Sequence, residues 1–233
     1  MLRASIRKEL LMVHSILFSR CGDPGWWPGD TPFEVAVGAV LTQNTSWDNV
    51  ERAIHNLKMK DLISPDRIVE TPDEELVRLI RPAGFFNQKS VYLKEFSRFL
   101  SDRFSGRVEN LGSVPLERAR EELLSVKGIG KETADSILCY GASLPVLVID
   151  AYTWRFLERF LGGSFPEGVR KGDYDSLQSF LMGELSGDAL FYNRFHALLV
   201  LLSKDHCRKT PACGSCPLSA ICSFGMGVGN RTK

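Results

Sequence analysis

Apolar residues recur at helical spacing along most of the chain, and two such stretches open with strong helix-start signals. Residues 31–34 (Thr-Pro-Phe-Glu) and 71–74 (Thr-Pro-Asp-Glu) each supply an N-cap hydroxyl, a proline at the first helical position and a glutamate for a capping box. Residues 64–65 (Ser-Pro) form a weaker start. Helix-compatible composition is found in four further segments, residues 48–57, 91–100, 151–160 and 174–182. The pattern predicts a mostly α-helical protein.

Residues 145–149, Pro-Val-Leu-Val-Ile, are the stretch that most resembles a β-strand. Five residues without a partner of similar pattern do not make a sheet. We therefore expect a buried, extended connector at this position, within an all-α fold.

The composition fits a protein with a substantial core. Of the 233 residues 44% are hydrophobic, enough for one large domain or for two lobes that share a cleft. Charges lie within what would be a signal peptide, at Arg3, Arg7, Lys8 and Glu9, and no apolar run approaches the roughly 18 residues of a membrane span. We expect a soluble cytoplasmic protein with no membrane partner.

Charge is distributed unevenly along the chain, although the net charge is only +1. From Leu190 onward there are six basic residues and one acidic residue, a net charge of +5, which leaves −4 for residues 1–189. This asymmetry is compatible with a basic, DNA-facing tail, and equally with a solvated tail that has no function.

Cysteine spacing gives the first specific signal. Four of the six cysteines lie in a C-x5-C-x2-C-x5-C arrangement, formed by Cys207, Cys213, Cys216 and Cys222. Four thiols this close favour metal binding over disulfides in a chain without a secretion signal. Spacing alone fits either a tetrahedral zinc ion or a 4Fe-4S cluster. The isolated Cys21 and Cys139 are predicted to be buried free thiols.

A second signal is the segment 124–131, Leu-Ser-Val-Lys-Gly-Ile-Gly-Lys, in which Gly128 and Gly130 separate two helical stretches. Two glycines allow a tight turn, and the free N–H groups of the following helix point toward an anion such as a DNA phosphate. A Gly-x-Gly turn also ends helices for purely structural reasons, so the hairpin is a weak motif by itself.

Asp150 follows the predicted connector and begins the next helical stretch, where its simplest role is that of an N-cap. Hairpin, aspartate and trailing cysteine loop, in this order and at these separations, resemble the endonuclease III superfamily of helix-hairpin-helix DNA glycosylases. The resemblance runs from about residue 32 to residue 222. It implies that Asp150 is the catalytic aspartate, and that the partner is damaged double-stranded DNA.

The resemblance also implies an architecture of two helical domains flanking a cleft, in a monomeric protein associated with the nucleoid. We expect residues 24–136 to form a central six-helix, barrel-like domain, with the hairpin motif at about 118–140. Residues 1–23 and 137–233 would form the terminal domain, including a cluster loop at 203–222.

For the cysteines, the resemblance implies a 4Fe-4S cluster rather than zinc, although the first gap is one residue shorter than the six typical of the superfamily. Its expected role is structural, since it would shape a loop that presents basic side chains to DNA. The residues expected to contact phosphates are Lys127, Gly128, Gly130, Lys131, Arg208 and Lys209.

Members that also cleave the strand carry a lysine two residues beyond the second hairpin glycine, and this chain has Glu132 there. A carboxylate does not form a Schiff base, and Lys131 falls on a different helical face. We expect a monofunctional enzyme in which water attacks the sugar C1′ and Asp150 stabilises the oxocarbenium-like sugar or deprotonates that water.

The chain most resembles the bacterial type III 3-methyladenine DNA glycosylases at its tryptophans and in the hairpin. The tryptophans concerned are Trp26, Trp27 and Trp47. Indole faces select a cationic alkylated purine by stacking and cation–π attraction. Glu132 would add attraction for the cation. Core packing for the tryptophans, and a helix N-terminal acid for Glu132, are the alternatives.

Removal of a base from duplex DNA requires extrusion of its nucleotide. By resemblance, Gln43 enters the stack from one side and Phe85 is the opposing wedge, although a buried Phe85 is equally ordinary. Lys204 is expected to line the substrate site or to contact a phosphate.

Two alternatives to alkylpurine release remain open. One is a mismatch or oxidised-base glycosylase, and the other is a noncatalytic DNA-binding protein.

Overall fold

The structure is a computed structural model that describes residues 2–163 and 165–229. Within these residues it is all helical, with no β-strand, which confirms the predicted fold class. None of the described helices combines the length and apolarity needed to span a membrane. The α-helices are α1 Leu2–Cys21, α2 Pro32–Leu41, α3 Trp47–Lys58, α4 Pro65–Glu70, α5 Asp73–Leu79, α6 Phe86–Phe104, α7 Leu116–Ser125, α8 Lys131–Ser136, α9 Ala151–Phe160, α10 Tyr174–Leu185, α11 Ala189–Asp205 and α12 Ser223–Gly229.

Local signals explain the start of α2. The Thr31 hydroxyl accepts a hydrogen bond from the Glu34 N–H at 3.1 Å, and Pro32 occupies the first turn, as predicted. The Glu34 carboxylate accepts from the Asp30 N–H at 3.3 Å and from Lys58. The side chain therefore ties α2 to α3 and to the residues before it.

The predicted cap at Thr71 is wrong. Thr71 is extended, as the residue before Pro72 is expected to be, and its hydroxyl donates back to the Arg67 carbonyl of α4 at 2.7 Å. Helix α5 therefore begins at Asp73, and Pro72 separates two short helices.

The described chain divides into two compact units, one formed by residues up to Trp26 and from Pro145 onward, the other by Trp27–Leu144. The second boundary lies after residue 144 rather than at the expected 136. The reason is that α8 continues into a π-helical turn at Ile137–Gly141, which packs against α2 of the central unit. The first boundary lies after Trp26 rather than after residue 23.

The central unit, Trp27–Leu144, is built around α2. Every residue of α2 except Pro32 is buried, and Phe33 stacks on Phe96 of α6 with ring centroids 6.3 Å apart. The unit contains seven α-helices, α2 to α8, where the resemblance implied six. The break at Pro72 is one source of additional short helices.

The terminal unit packs α1 against α10 and α11, and α9 against α11 and α12. Residues 145–149 enter this unit without regular secondary structure, and Val146, Leu147, Val148 and Ile149 are at most 2% exposed. The predicted buried connector is confirmed. Cys139 is buried as predicted, whereas Cys21, at the C-terminal end of α1, is exposed.

Candidate active site

Asp150 lies where the buried connector ends and α9 begins. Its backbone is extended, with φ −128° and ψ −178°, as an N-cap requires. The Oδ1 atom accepts hydrogen bonds from the Thr153 N–H at 2.7 Å and from the Thr153 hydroxyl at 2.9 Å. One carboxylate oxygen therefore caps the helix, which leaves Oδ2 for another role.

Oδ2 faces the imidazole of His196 on α11, whose Nε2 atom lies 3.4 Å away. Burial raises the pKa of Asp150, but the electrostatic attraction of His196 and hydrogen bonds from His196 and Thr153 outweigh burial and hold the pKa below its ordinary value. The side chain is therefore a carboxylate at neutral pH. Sequence reasoning missed His196 because a single histidine in an apolar helix gives no local signal.

The hairpin between α7 and α8 contains both predicted glycines, and they differ in their surroundings. Gly128 has φ +88°, and a Cβ atom there would lie 2.1 Å from Cγ of Tyr92 on α6. Gly130 has no such neighbour within 4 Å. Gly128 is thus required by packing, whereas Gly130 leaves the backbone open at the start of α8. Lys127 and Lys131 flank the turn and are exposed.

Gln43, in the loop after α2, is held against the hairpin. Its Nε2 atom donates to the Gly128 carbonyl at 3.0 Å and to the Thr133 hydroxyl at 3.2 Å. The loop predicted to probe the DNA stack and the hairpin predicted to bind phosphate are therefore connected directly.

Phe85 is 61% exposed, so the buried alternative for this side chain is wrong. Its φ of 44° is left-handed, and the preceding Gly84 has φ 66°. A non-glycine residue in this region is strained, and such strain clusters at functional sites. The loop presents an apolar ring to solvent immediately before α6.

Trp27 and Trp47 lie together in the central unit, in an edge-to-face arrangement with centroids 5.1 Å apart, and Tyr140 packs 5.3 Å from Trp27. The Trp47 indole N–H donates to Glu51 Oε1 at 2.6 Å, which fixes the ring orientation. A Cβ at Gly38 would lie 3.1 Å from Nε1 of Trp27, so the glycine makes room for this aromatic group.

Trp26 belongs to the terminal unit and has a different neighbour. The exposed Lys204 of α11 places its ammonium 5.8 Å from the Trp26 ring centroid, at cation–π distance. Trp26 therefore has a lysine of its own unit as a neighbour. Glu132 is exposed in the first turn of α8.

The four cysteines of the C-terminal loop line one cavity. The walls of this cavity also include Phe156, Leu202 and Leu218. Across residues 2–163 and 165–229, no group of three or more His, Cys, Asp or Glu side chains is arranged to hold a metal ion.

Two arginines of α9 donate hydrogen bonds to this loop. Arg155 Nε donates to the Cys207 carbonyl at 2.7 Å, and Arg159 donates to the Cys207 Sγ atom at 3.3 Å. Arg159 also donates to the carbonyls of Arg208 and Lys209, at 2.7 and 3.0 Å, while the side chains of both residues are exposed. Helix α9, which Asp150 caps, therefore holds the cysteine loop in place. The cysteine spacing gave no indication of this contact between α9 and the loop.

A two-glycine hairpin and a buried aspartate at a helix start, within an all-helical chain, are the features of helix-hairpin-helix DNA glycosylases. The family model described as HhH-GPD superfamily base excision DNA repair protein matches residues 37–167. The chain belongs to this superfamily of base excision DNA repair glycosylases.

Particular relatives support the same assignment. A Methanocaldococcus jannaschii protein, provisionally named a DNA repair glycosylase, is 42% identical over 90% of this chain and 94% of its own. The Helicobacter pylori 3-methyladenine DNA glycosylase bound to 1,N6-ethenoadenine is 34% identical, with a TM-score of 0.71 over 85% of this chain and 96% of that chain. A trapped endonuclease III–DNA intermediate shares the fold, with a TM-score of 0.77, 21% identity and coverage of 97% and 99%.

Proposed function

We propose that this protein is a monofunctional DNA glycosylase that hydrolyses the N-glycosidic bond of cationic alkylated purines in duplex DNA. The observation that carries the proposal is the Asp150 carboxylate, which is only 11% exposed and is kept ionised by Thr153 and His196. A buried charge is costly unless it is compensated, so its retention at a helix start favours a chemical role beyond capping.

Asp150 acts on the sugar in this mechanism. A purine alkylated at N3 or N7 is already cationic and leaves without a general acid, while positive charge develops on the sugar. The carboxylate stabilises that charge in a poorly hydrated environment and orients or deprotonates the water that attacks C1′. Because Oδ1 already accepts two hydrogen bonds from Thr153, we assign this role to Oδ2.

Strand cleavage is not part of the proposed reaction. The position at which the lyases of this superfamily carry their attacking lysine is Glu132, which is exposed on the first turn of α8. A carboxylate forms no imine with the sugar, so the proposed products are the free base and an intact strand with an abasic site.

Duplex binding is assigned to backbone N–H groups and basic side chains, which contact phosphates and do not recognise the base sequence. The N–H groups beyond Gly130 at the start of α8 are proposed to bind one phosphate, with Lys127 and Lys131 beside them. Arg208 and Lys209 are proposed to contact phosphates from the cysteine loop. The endonuclease III structure that shares this fold is a DNA complex, which supports duplex DNA as the ligand.

Base selection is assigned to the pair Trp27 and Trp47, in which one ring is held by Glu51 and the other packs on Tyr140. A rigid, electron-rich aromatic surface favours a cationic purine over a neutral base. The 1,N6-ethenoadenine bound to the H. pylori enzyme supports a purine adduct as the ligand class.

One observation favours a second candidate, the release of a neutral base such as an oxidised pyrimidine or a mismatched thymine. The Lys204 ammonium already lies over Trp26, so that indole face carries a positive charge that would repel a cationic base. A neutral base incurs no such repulsion.

Substitution of Trp47 distinguishes the two candidates. We expect Trp47→Ala to weaken recognition of alkylated purines by about 1–3 kcal/mol, because one stacking face is lost. Single-turnover release and binding to an abasic-site analogue should be compared, since the analogue has no base to stack. Trp47→Phe, which keeps an aromatic ring, is the matched control and should lose less. Full activity of Trp47→Ala on every alkylated base, with a defect on oxidised pyrimidines or mismatches, would favour the second candidate.

We also propose that Cys207, Cys213, Cys216 and Cys222 hold a 4Fe-4S cluster, with zinc as the alternative. A single zinc ion needs four ligands each about 2.3 Å from one point, whereas a cluster binds each cysteine to a different iron and spaces the sulfurs more widely. Four cysteines around one cavity fit the second requirement. When bound, the cluster would crosslink the loop that carries Arg208 and Lys209, while Arg159 donates a hydrogen bond to Cys207.

Metal analysis checks this assignment. Purified protein should be brown, with broad absorbance near about 400 nm and about four irons per chain. Cys213→Ala should lose the colour and the iron. Cys21→Ser removes an exposed cysteine outside the loop and should keep both. Colourless protein with one stoichiometric zinc would rule out the cluster.

A further inference from the structure

Lys89, in the first turns of α6, is one of the largest fully buried side chains of the protein, with 2% exposure. Its ammonium donates to two backbone carbonyls, those of Leu41 and Ala83, each at 2.8 Å. Both acceptors are neutral, so this charge is buried among dipoles rather than beside a carboxylate. An apolar side chain of similar length would avoid the desolvation cost, and the charge therefore needs an explanation.

The two carbonyls lie immediately before two different loops. Leu41 is the last residue of α2, two residues before Gln43, and Ala83 ends the 3-10 turn Arg81–Ala83, two residues before Phe85. One ammonium thus joins the segments that lead into both predicted probes of the DNA stack. Loss of these bonds would leave the two carbonyls without this donor and the loops without this link.

We propose that Lys89 is a positioning residue that fixes the spacing between the Gln43 and Phe85 loops, so that both fill the space of an extruded nucleotide. The inference rests on the proposed function as a base-extruding glycosylase. Preorganised loops avoid an ordering cost on binding, at the step where the enzyme must offset the lost stacking of the flipped base.

Other features of Lys89 and its surroundings agree with this role. Burial lowers the pKa of Lys89 to about 8, so the ammonium is largely retained at neutral pH and can donate to both carbonyls. Phe85 is held in a left-handed conformation between Gly84 and α6, which requires support from the adjacent backbone. Gln43 is fixed on its other side by the Gly128 carbonyl.

The test uses a duplex with a stable abasic-site analogue opposite 2-aminopurine, whose fluorescence rises when protein side chains disturb the stack around it. At saturating protein, Lys89→Met is expected to reduce the rise by about threefold or more, because the probes no longer enter together. Lys94→Met is the matched control on the same helix, since Lys94 pairs with Asp73 of α5, and should match the wild type. A wild-type rise in the folded Lys89→Met protein would overturn the inference.

A second arm separates positioning from general destabilisation. In a Phe85→Ala background, Lys89→Met should cause a smaller loss than it causes in the wild type, because only the Gln43 probe is left for Lys89 to position. Additive losses would overturn the inference. Circular dichroism checks the fold, and if the Met variant is unfolded, Lys89→Gln replaces it. The amide nitrogen of Gln is one bond too short to span both carbonyls, so the same loss is expected, and a wild-type signal would again contradict the role.

The experiment is independent of base release. If the Lys89-dependent signal is present but no alkylated purine is released, the proposed substrate fails and the positioning role stands. If the wild-type protein binds the duplex without any rise in fluorescence, the positioning role fails whichever base the protein releases.

Discussion

Asp150→Asn is expected to slow single-turnover base release by about 100-fold or more, while binding to lesion DNA is retained. Asparagine keeps the size of the side chain and its ability to cap α9, but it removes the negative charge that faces the developing sugar cation. Release from a lesion duplex is measured with enzyme in excess, and affinity is measured on the same duplex.

Asp188→Asn is the matched control, because Asp188 caps α11 through the Phe191 N–H at 2.8 Å and has no assigned chemistry. This variant should release base at the wild-type rate. If Asp150→Asn also releases base at that rate, Asp150 is only a helix cap and the mechanism fails.

Because the pKa of Asp150 is lowered, the effect of Asp150→Asn on the free energy of unfolding should depend on pH. A carboxyl with a depressed pKa stabilises the folded state above its unfolded pKa of about 3.9, and this contribution is lost as the pH falls through the folded pKa. The difference in unfolding free energy between wild type and Asp150→Asn should therefore be present at neutral pH and shrink in strong acid.

Gly128→Ala is expected to destabilise the protein by about 3 kcal/mol or more, through a steric clash and an unfavourable backbone angle. The new Cβ would lie 2.1 Å from Cγ of Tyr92, at φ +88°. Thermal and denaturant unfolding measure the loss. Because the clash is with one ring, Gly128→Ala combined with Tyr92→Ala should be less destabilised than the sum of the two single variants.

Gly130→Ala is the comparison within the same turn. With no atom within 4 Å of its Cβ position and an ordinary φ of −92°, this variant should unfold like the wild type. It should nevertheless bind all duplexes more weakly, because the methyl group keeps phosphate from the backbone. Equal stability of the two alanine variants would contradict the packing argument for Gly128.

Features set by neighbouring residues were predictable from the sequence. Helix α2 begins at Pro32 because the Thr31 hydroxyl and the fixed φ of proline act within one turn. Residues 146–149 are buried as predicted, whereas Pro145 is exposed. The Thr71 prediction failed for an equally local reason. The same hydroxyl can bond forward as a cap or back to the preceding turn, and here it donates to Arg67.

Contacts between distant residues were not predictable. His196 beside Asp150, Lys204 over Trp26, and Lys89 between Leu41 and Ala83 each depend on how separate helices pack, and none has a periodic or capping signal. The resemblance pointed to Asp150 and Phe85, but only the structure shows that one carboxylate oxygen faces a histidine and that the phenylalanine ring is exposed.

Release of an alkylated purine from duplex DNA by hydrolysis is the reaction that we propose for this protein. Its most direct test incubates the wild-type protein with duplexes that each carry one lesion, and measures free base and strand breaks separately, with borohydride present in a parallel reaction. We expect free alkylated purine such as 3-methyladenine, an intact strand and no trapped protein–DNA adduct. Release confined to an oxidised pyrimidine or a mismatched thymine, or strand cleavage with a trapped adduct, would contradict it.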